Sequence, residues 1–122
     1  MAGQPVPRVT DGDVQRIILR DFGRNSQAVL ALSILEDLGR QEDGRPSPRV
    51  CLAVLKLADG DVNQLRRYTK TATEDYRDVI ALAEYPRYFS EVVNANVPET
   101  VQYVVIDDDW KQYHEWLEKK PA

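Results

Sequence analysis

Apolar residues recur along this chain in steps of three and four, the spacing that places side chains on one side of an α-helix. Val14, Ile17, Ile18 and Phe22 form the first such stripe, with Thr10 or Asp11 as cap, Asp13 suited to the helix dipole and Gly23 as terminator. The next segment, from Asn25 to Gly39, carries Ala28, Val29, Leu30, Ala31, Leu32, Ile34, Leu35 and Leu38 around most of its circumference, which predicts a buried helix. Arg40–Pro46 reads as an exposed polar loop, and Ser47-Pro48 starts a third helix. Its apolar positions are Val50, Leu52, Val54, Leu55 and Leu57, with Arg49 and Lys56 on a narrow wet edge and Asp59-Gly60 as stop.

Asp61 and Gln64 have the spacing of a capping box ahead of a fourth helix. Its stripe (Val62, Leu65, Tyr68, Ala72, Tyr76, Val79, Ile80 and Ala83) keeps phase across Thr71–Thr73, so one continuous helix is expected up to Pro86. Threonine is a poor helix former, which makes Thr71–Thr73 the alternative place for a break. One short helical turn fits within Arg87–Ala95. In the last segment, Pro98–Lys120, Val101–Ile106 is β-branched enough for a strand, but no other segment offers a partner strand. Read as a helix, it aligns Tyr103, Ile106, Trp110, Tyr113 and Leu117 on one side. The fold expected is therefore an all-α, compact bundle of about five helices, with the second and third at its centre. Residues 1–9 read as a flexible tail and 10–120 as a single domain. The tetrapeptide Asp-Gly-Asp-Val occurs at Asp11–Val14 and at Asp59–Val62, and both copies are helix-start chemistry rather than a structural repeat.

Composition narrows the class. The 122 residues hold 16 Lys+Arg, 20 Asp+Glu, one Cys and one His, for a formal charge of −4. That is the size of one ordinary domain. A single cysteine rules out an internal disulfide and any multi-cysteine zinc site. Unbroken apolar runs such as Ala28–Leu32 are about five residues long, against roughly 18 for a membrane span. The opening MAGQPVPRV has no apolar stretch of the kind a secretory signal needs, so a soluble, cytoplasmic protein is expected, with no membrane partner. The acidic balance argues against nucleic acid. So does the apolar second helix of the only helix-turn-helix candidate, Asp11–Leu38, because a recognition helix must offer polar side chains.

Few residues are placed for chemistry. Cys51, between Val50 and Leu52, reads as a buried, inert thiol, and His114 as a surface or half-buried histidine beside Tyr113 and Trp116. Asp107, Asp109 and Glu118 match three positions of a calcium loop, but Lys111 and Gln112 stand where a ligand and a glycine are required. A carboxylate cluster combining Asp107–Asp109 with Glu74, Asp78 or Glu84 is the metal-binding alternative to a solvated acidic face. Arg66, Arg67 and Lys70 form a basic cluster early in the fourth helix, where they oppose its dipole. They either dock an anionic partner, neutralise Asp107–Asp109 or are simply solvated. In Asp75–Phe89, Arg77, Tyr85 and Arg87 lie among further tyrosines, a composition shared by interfaces and by helix-end packing.

The block RVCLAVLKLADGDVNQLRRYTKTATEDYRDVIALAEYPRYF (Arg49–Phe89), with DWKQYHEWLEK (Asp109–Lys119), resembles a group of small bacterial proteins. The likeness covers under half the chain. It implies a bacterial origin and an all-helical fold, and carries no activity or site residues. The function expected is a non-enzymatic protein-interaction or regulatory module without a cofactor. Its partner would be another protein or a second copy, met through the aromatic sides of Asp75–Phe89 and Tyr103–Leu117. The alternative is a small-molecule or metal-dependent helical enzyme built on Glu74, Asp78 and Asp107–Asp109.

Overall fold

Residues 6–23, 26–39, 47–93 and 95–121 are described by the computed structural model. The helix start at Asn25, the loop at Arg40–Pro46 and the first five residues of the N-terminal stretch lie outside them. Helix α1 (Asp11–Phe22) opens on a reciprocal cap. Thr10 Oγ1 accepts from the Asp13 N–H at 3.3 Å, and the Asp13 carboxylate accepts from the Thr10 N–H at 3.0 Å. It closes at Gly23, whose φ of 77° suits a residue without Cβ. After α2 (Ser26–Gly39), α3 (Pro48–Ala58) carries proline in its first turn, where a missing N–H breaks no helical bond. Asp59 and Gly60, with φ of 51° and 77°, reverse the chain. A Cβ on Gly60 would lie 3.1 Å from the Asp21 carbonyl oxygen, so this turn sits tightly on the end of α1.

Asp61 caps α4 (Val62–Glu74) through the N–H groups of Asn63 and Gln64. The continuous helix expected up to Pro86 is not formed. Asp75 adopts an extended backbone (φ −154°, ψ 102°), closes α4 and accepts from the Arg77 N–H at 3.0 Å to open α5 (Tyr76–Glu84). An aspartate that can satisfy the orphan donors of a new helix competes with helix continuation, and here it wins. The threonines are not the break: the Thr71 and Thr73 hydroxyls donate back to the carbonyls of Arg67 and Lys70 inside the helix. Tyr76 falls at the break and is exposed, while Val79, Ile80 and Ala83 still reach the core. Two more helices follow, α6 (Pro86–Glu91) and α7 (Glu99–Glu118). The described residues thus form seven helices rather than about five and no strand, and Val101–Ile106 is helical.

Packing assigns the centre to α3, which touches α1, α4 and α5 and buries Cys51 through Leu55. The expectation that α2 shares this centre is not met. α2 packs on α1 and α4, burying Ala28, Ala31, Ile34, Leu35 and Leu38. On its opposite side Val29, Leu30 and Leu32 are exposed. A smaller core of Tyr88, Val92, Val105 and Ile106 joins α6 to α7. On α7 the buried side runs through Val105, Ile106, Asp109, Tyr113 and Leu117. Tyr103, expected on that side, is exposed instead.

Polar contacts fasten the C-terminal half of α7. Arg16 and Arg20 of α1 reach the last turn of α7, donating to the carbonyls of Leu117 (2.8 Å), Trp116 and Lys119 (3.0 Å). The Arg20 guanidinium also lies 5.1 Å over the Trp116 ring. These donors answer carbonyls that a helix C-terminus leaves unpaired. About one turn earlier in α7, Gln112 Nε2 donates to the carbonyls of Ala83 (3.2 Å) and Glu84 (3.3 Å). Glu84 itself is buried and held by Arg49 of α3 through two bonds of 2.7 Å. In the stretch read as a tail, Pro7 is buried and Val9 packs against the main core.

Candidate interaction surface

The basic cluster is intact on the surface. Arg66, Arg67 and Lys70 are all exposed on α4 and form no ion pair among the described residues. Only Arg67 has a close partner, its guanidinium lying 5.8 Å from the Tyr68 ring centroid. Neutralisation of Asp107–Asp109 by these cations is not what the fold does. Asp107 pairs with Lys111 at 2.9 Å one turn on, and Asp108 pairs with Arg87. Nor is the aspartate run a uniformly solvated face. Asp109 is only 1% exposed, and its two oxygens accept from the backbone N–H groups of Arg87 (3.2 Å) and Tyr88 (2.9 Å). It therefore caps the start of α6 from across the molecule.

The other sequence candidates have internal work. Arg77 is exposed and hydrogen-bonds Asp75 at 3.1 Å, which holds the Asp75 carboxyl below its ordinary range. Arg87 bridges Glu91 (2.8 Å) and Asp108. Tyr85 is half-buried and meets Tyr88 edge-on, ring centroids 6.3 Å apart, and burial pushes its phenol up. Most of the aromatic residues proposed for a dimer face are spent inside: Tyr88 and Tyr113 are buried, and Trp110 and Trp116 half-buried, leaving Tyr76, Phe89 and Tyr103 exposed.

Chemistry-bearing side chains are dispersed. Glu74 and Asp78 stand on different helices, either side of the break at Asp75. Among the described residues no three His, Cys, Asp or Glu side chains converge as a metal-holding group. Cys51 is buried, and desolvation pushes its thiol up to about 12. His114 is half-buried, Nδ1 2.9 Å from the Trp110 carbonyl oxygen and its ring 4.1 Å from the Trp110 ring.

What sequence reasoning missed is the apolar side of α2. Val29 is 68% exposed, Leu32 43% and Leu30 37%, with α2 lying directly against α4. Leu32 also lines a groove of about 290 Å³ with Val14 of α1, Leu35 of α2 and Cys51 of α3, rimmed by Asp11, Gln15 and Glu36. The signal was present in the run Ala28–Leu32: a helix apolar all round is buried only if neighbours surround it, and this one has them on one side. No helix among the described residues is long and apolar enough to cross a membrane, so a bilayer-spanning role does not account for the run.

The fold and this surface define a small all-α domain in which α2, with exposed apolar side chains, packs on α4, whose three exposed cations form no ion pair among the described residues. No family model matches the chain, and no curated protein and no solved structure matches it either. Function has to be read from the surface itself.

Proposed function

We propose that the protein is a non-enzymatic interaction module that receives an acidic, amphipathic helix of a partner protein across α2 and the basic start of α4. The observation that carries this reading is the exposed set Val29, Leu30 and Leu32 on a helix packed against α4, whose three cations form no ion pair among the described residues. Fully burying a side chain of this kind contributes about 1.5–3 kcal/mol, so covering three of them supplies substantial affinity. Fold stability does not account for the cations. Arg66 and Lys70, one turn apart, repel by about 0.2–0.5 kcal/mol, and Arg66 and Arg67 sit in the half of α4 nearer its positive end. An apolar stripe laid in contact, with acids reaching such cations, is the usual way an amphipathic helix is recognised. The domain would work in the bacterial cytoplasm, where its lone thiol stays reduced, and needs no cofactor.

Two synthetic helical peptides with one apolar stripe, one with glutamates on its polar side and one with lysines, test this by fluorescence anisotropy. The glutamate peptide is expected to bind, more weakly as salt rises, and the lysine peptide is not. Val29→Glu should abolish binding. The double variant Arg66→Glu, Lys70→Glu should weaken it at least about tenfold, the equivalent of 1.4 kcal/mol. All three positions are exposed, so circular dichroism should show the fold retained. Equal affinity for both peptides, or none for either, overturns the proposal. A concentration-dependent mass that Val29→Glu removes would make the occupant a second copy instead.

A further inference from the structure

The groove beside Leu32 lies where α1, α2 and α3 meet, and it differs from the rest of the α2 surface in shape and in charge. Val14, Leu32, Leu35 and Cys51 form its apolar lining, and its rim carries Asp11, Gln15 and Glu36. Val14, Leu35 and Cys51 belong to the core and line the groove with what little surface they expose. Leu32 joins it to the exposed stripe. Val29 stands one turn before Leu32 and Glu36 one turn after, so the three share one side of α2.

Size and charge both bear on what enters it. About 290 Å³ is just under the roughly 300–1,000 Å³ of pockets that enclose a drug-sized ligand. A groove of that size, continuous with an apolar stripe, has room for one bulky side chain of whatever covers the stripe. Interfaces concentrate their binding energy in such places, where an aromatic anchor fills a pocket. The rim is acidic through Asp11 and Glu36, whereas the other helix against α2 presents Arg66, Arg67 and Lys70. A helix acidic all round would meet like charge at the groove. One with acids on one side of its apolar stripe and a base on the other suits both edges.

We infer that this groove is the anchor pocket of the docking surface: it seats one aromatic side chain of the partner helix, next to a lysine or arginine of that helix that meets Asp11 and Glu36. The inference rests on the reading of α2 and α4 as a docking surface. It adds which part of the partner enters the fold and where along the surface the partner's charge changes sign.

The glutamate-bearing helical peptide, with a phenylalanine in its stripe as its only aromatic residue, tests the pocket on isotope-labelled wild-type protein. In NMR spectra of the complex, the phenylalanine ring should show NOEs to the methyl groups of Val14 and Leu35, which a helix resting only on Val29 and Leu30 does not reach. NOEs confined to Val29, Leu30 and Leu32 overturn the anchor pocket and leave the docking surface standing. A peptide that does not bind overturns both. A second peptide carries lysines in place of the glutamates on one side of the stripe only. It should bind about two- to fivefold more tightly than the all-glutamate peptide, the range of exposed ion pairs. Glu36→Gln, at an exposed position, should remove that gain. Equal or weaker binding of the mixed peptide to the wild type overturns the inference.

Discussion

Asp109→Ala asks most directly whether α6 is held to α7 by a side-chain cap. The residue is 1% exposed, and its oxygens serve two backbone donors more than twenty positions earlier in the chain. Loss of an N-terminal cap costs about 0.5–2 kcal/mol, and a buried N–H left without an acceptor about 1–3 kcal/mol. The Tyr88 N–H is buried and becomes such an orphan, which places the expected loss at roughly 2–4 kcal/mol. For a domain of this size that lowers the melting temperature by roughly 6–20 °C. Asp109→Asn keeps one acceptor oxygen and should lose less.

The same residue makes a pH prediction with a definite sign. Burial raises the Asp109 carboxyl above its ordinary 3.8, against the opposing pull of the Tyr88 and Arg87 N–H groups and the Arg87 charge. Glu84, Glu91 and Asp108 nearby add negative charge, while Arg49 and Lys56 lie on the α3 side. A carboxyl raised by folding holds its proton more tightly in the native state. Its ionisation therefore subtracts from stability above the raised value, and that loss disappears as pH falls through the raised value to below 3.8. The stability gap between wild type and Asp109→Ala should widen from pH 7 toward pH 4. Urea unfolding across that range measures the gap, and amide exchange at Tyr88 reports the cap directly. An Asp109→Ala variant melting within about 1 °C of wild type would falsify the cap. A gap that narrows on acidification would refute the burial argument.

Three further outcomes are expected. Thr69 is buried with a hydroxyl that has no partner among the described residues, so Thr69→Val, which keeps the shape, should raise the melting temperature; a drop would mean that the hydroxyl is bonded. Arg20→Ala removes donors to two α7 carbonyls and the stack on Trp116, and leaves Asp21 without its 2.8 Å partner. It should cost about 2 kcal/mol in urea unfolding, and a change under about 0.5 kcal/mol would show the C-terminal grip to be idle. Cys51, buried and with its thiol pushed up to about 12, should resist iodoacetamide at pH 8 and react fully once urea unfolds the chain; rapid native labelling would contradict its burial.

The helical periodicity of this chain was legible because each stripe reports which side meets the core, and that is a local property. Thr10, Gly23, Asp59 and Asp61 likewise announced their turns by residue type alone. Three features were not legible, each for the same reason. The break at Asp75 is in phase with the stripe on both sides, so periodicity cannot detect it; only the competing cap of Arg77 decides. The exposure of Val29, Leu30 and Leu32 depends on how many neighbours α2 has, which no pattern within α2 contains. Asp109 looks identical to Asp107 and Asp108 in a run of three. Helix geometry buries it alone of the three, against the first turn of α6, where two N–H groups make a buried carboxylate acceptable, while Asp108 meets the exposed Arg87 guanidinium.

The distribution of pairing, more than the net charge, is what sets the basic surface apart. Glu84, Glu91, Asp107, Asp108 and Asp109 each have a partner inside the fold: a guanidinium, an ammonium or a helix N-terminus. The cations they use are Arg49, Arg87 and Lys111, none of them from α4. Lys119 and Lys120 follow the end of α7, where a helix dipole favours positive charge. Arg66, Arg67 and Lys70 have neither reason. Arg66 and Arg67 stand in the first half of α4 and Lys70 just past its middle, none of the three forms an ion pair among the described residues, and the adjacent helix exposes apolar side chains. A chain that carries −4 overall and still leaves three close cations without an ion pair among the described residues has the electrostatic gap that the proposed acidic partner would fill, with the exposed apolar side chains of α2 as the surface it would cover.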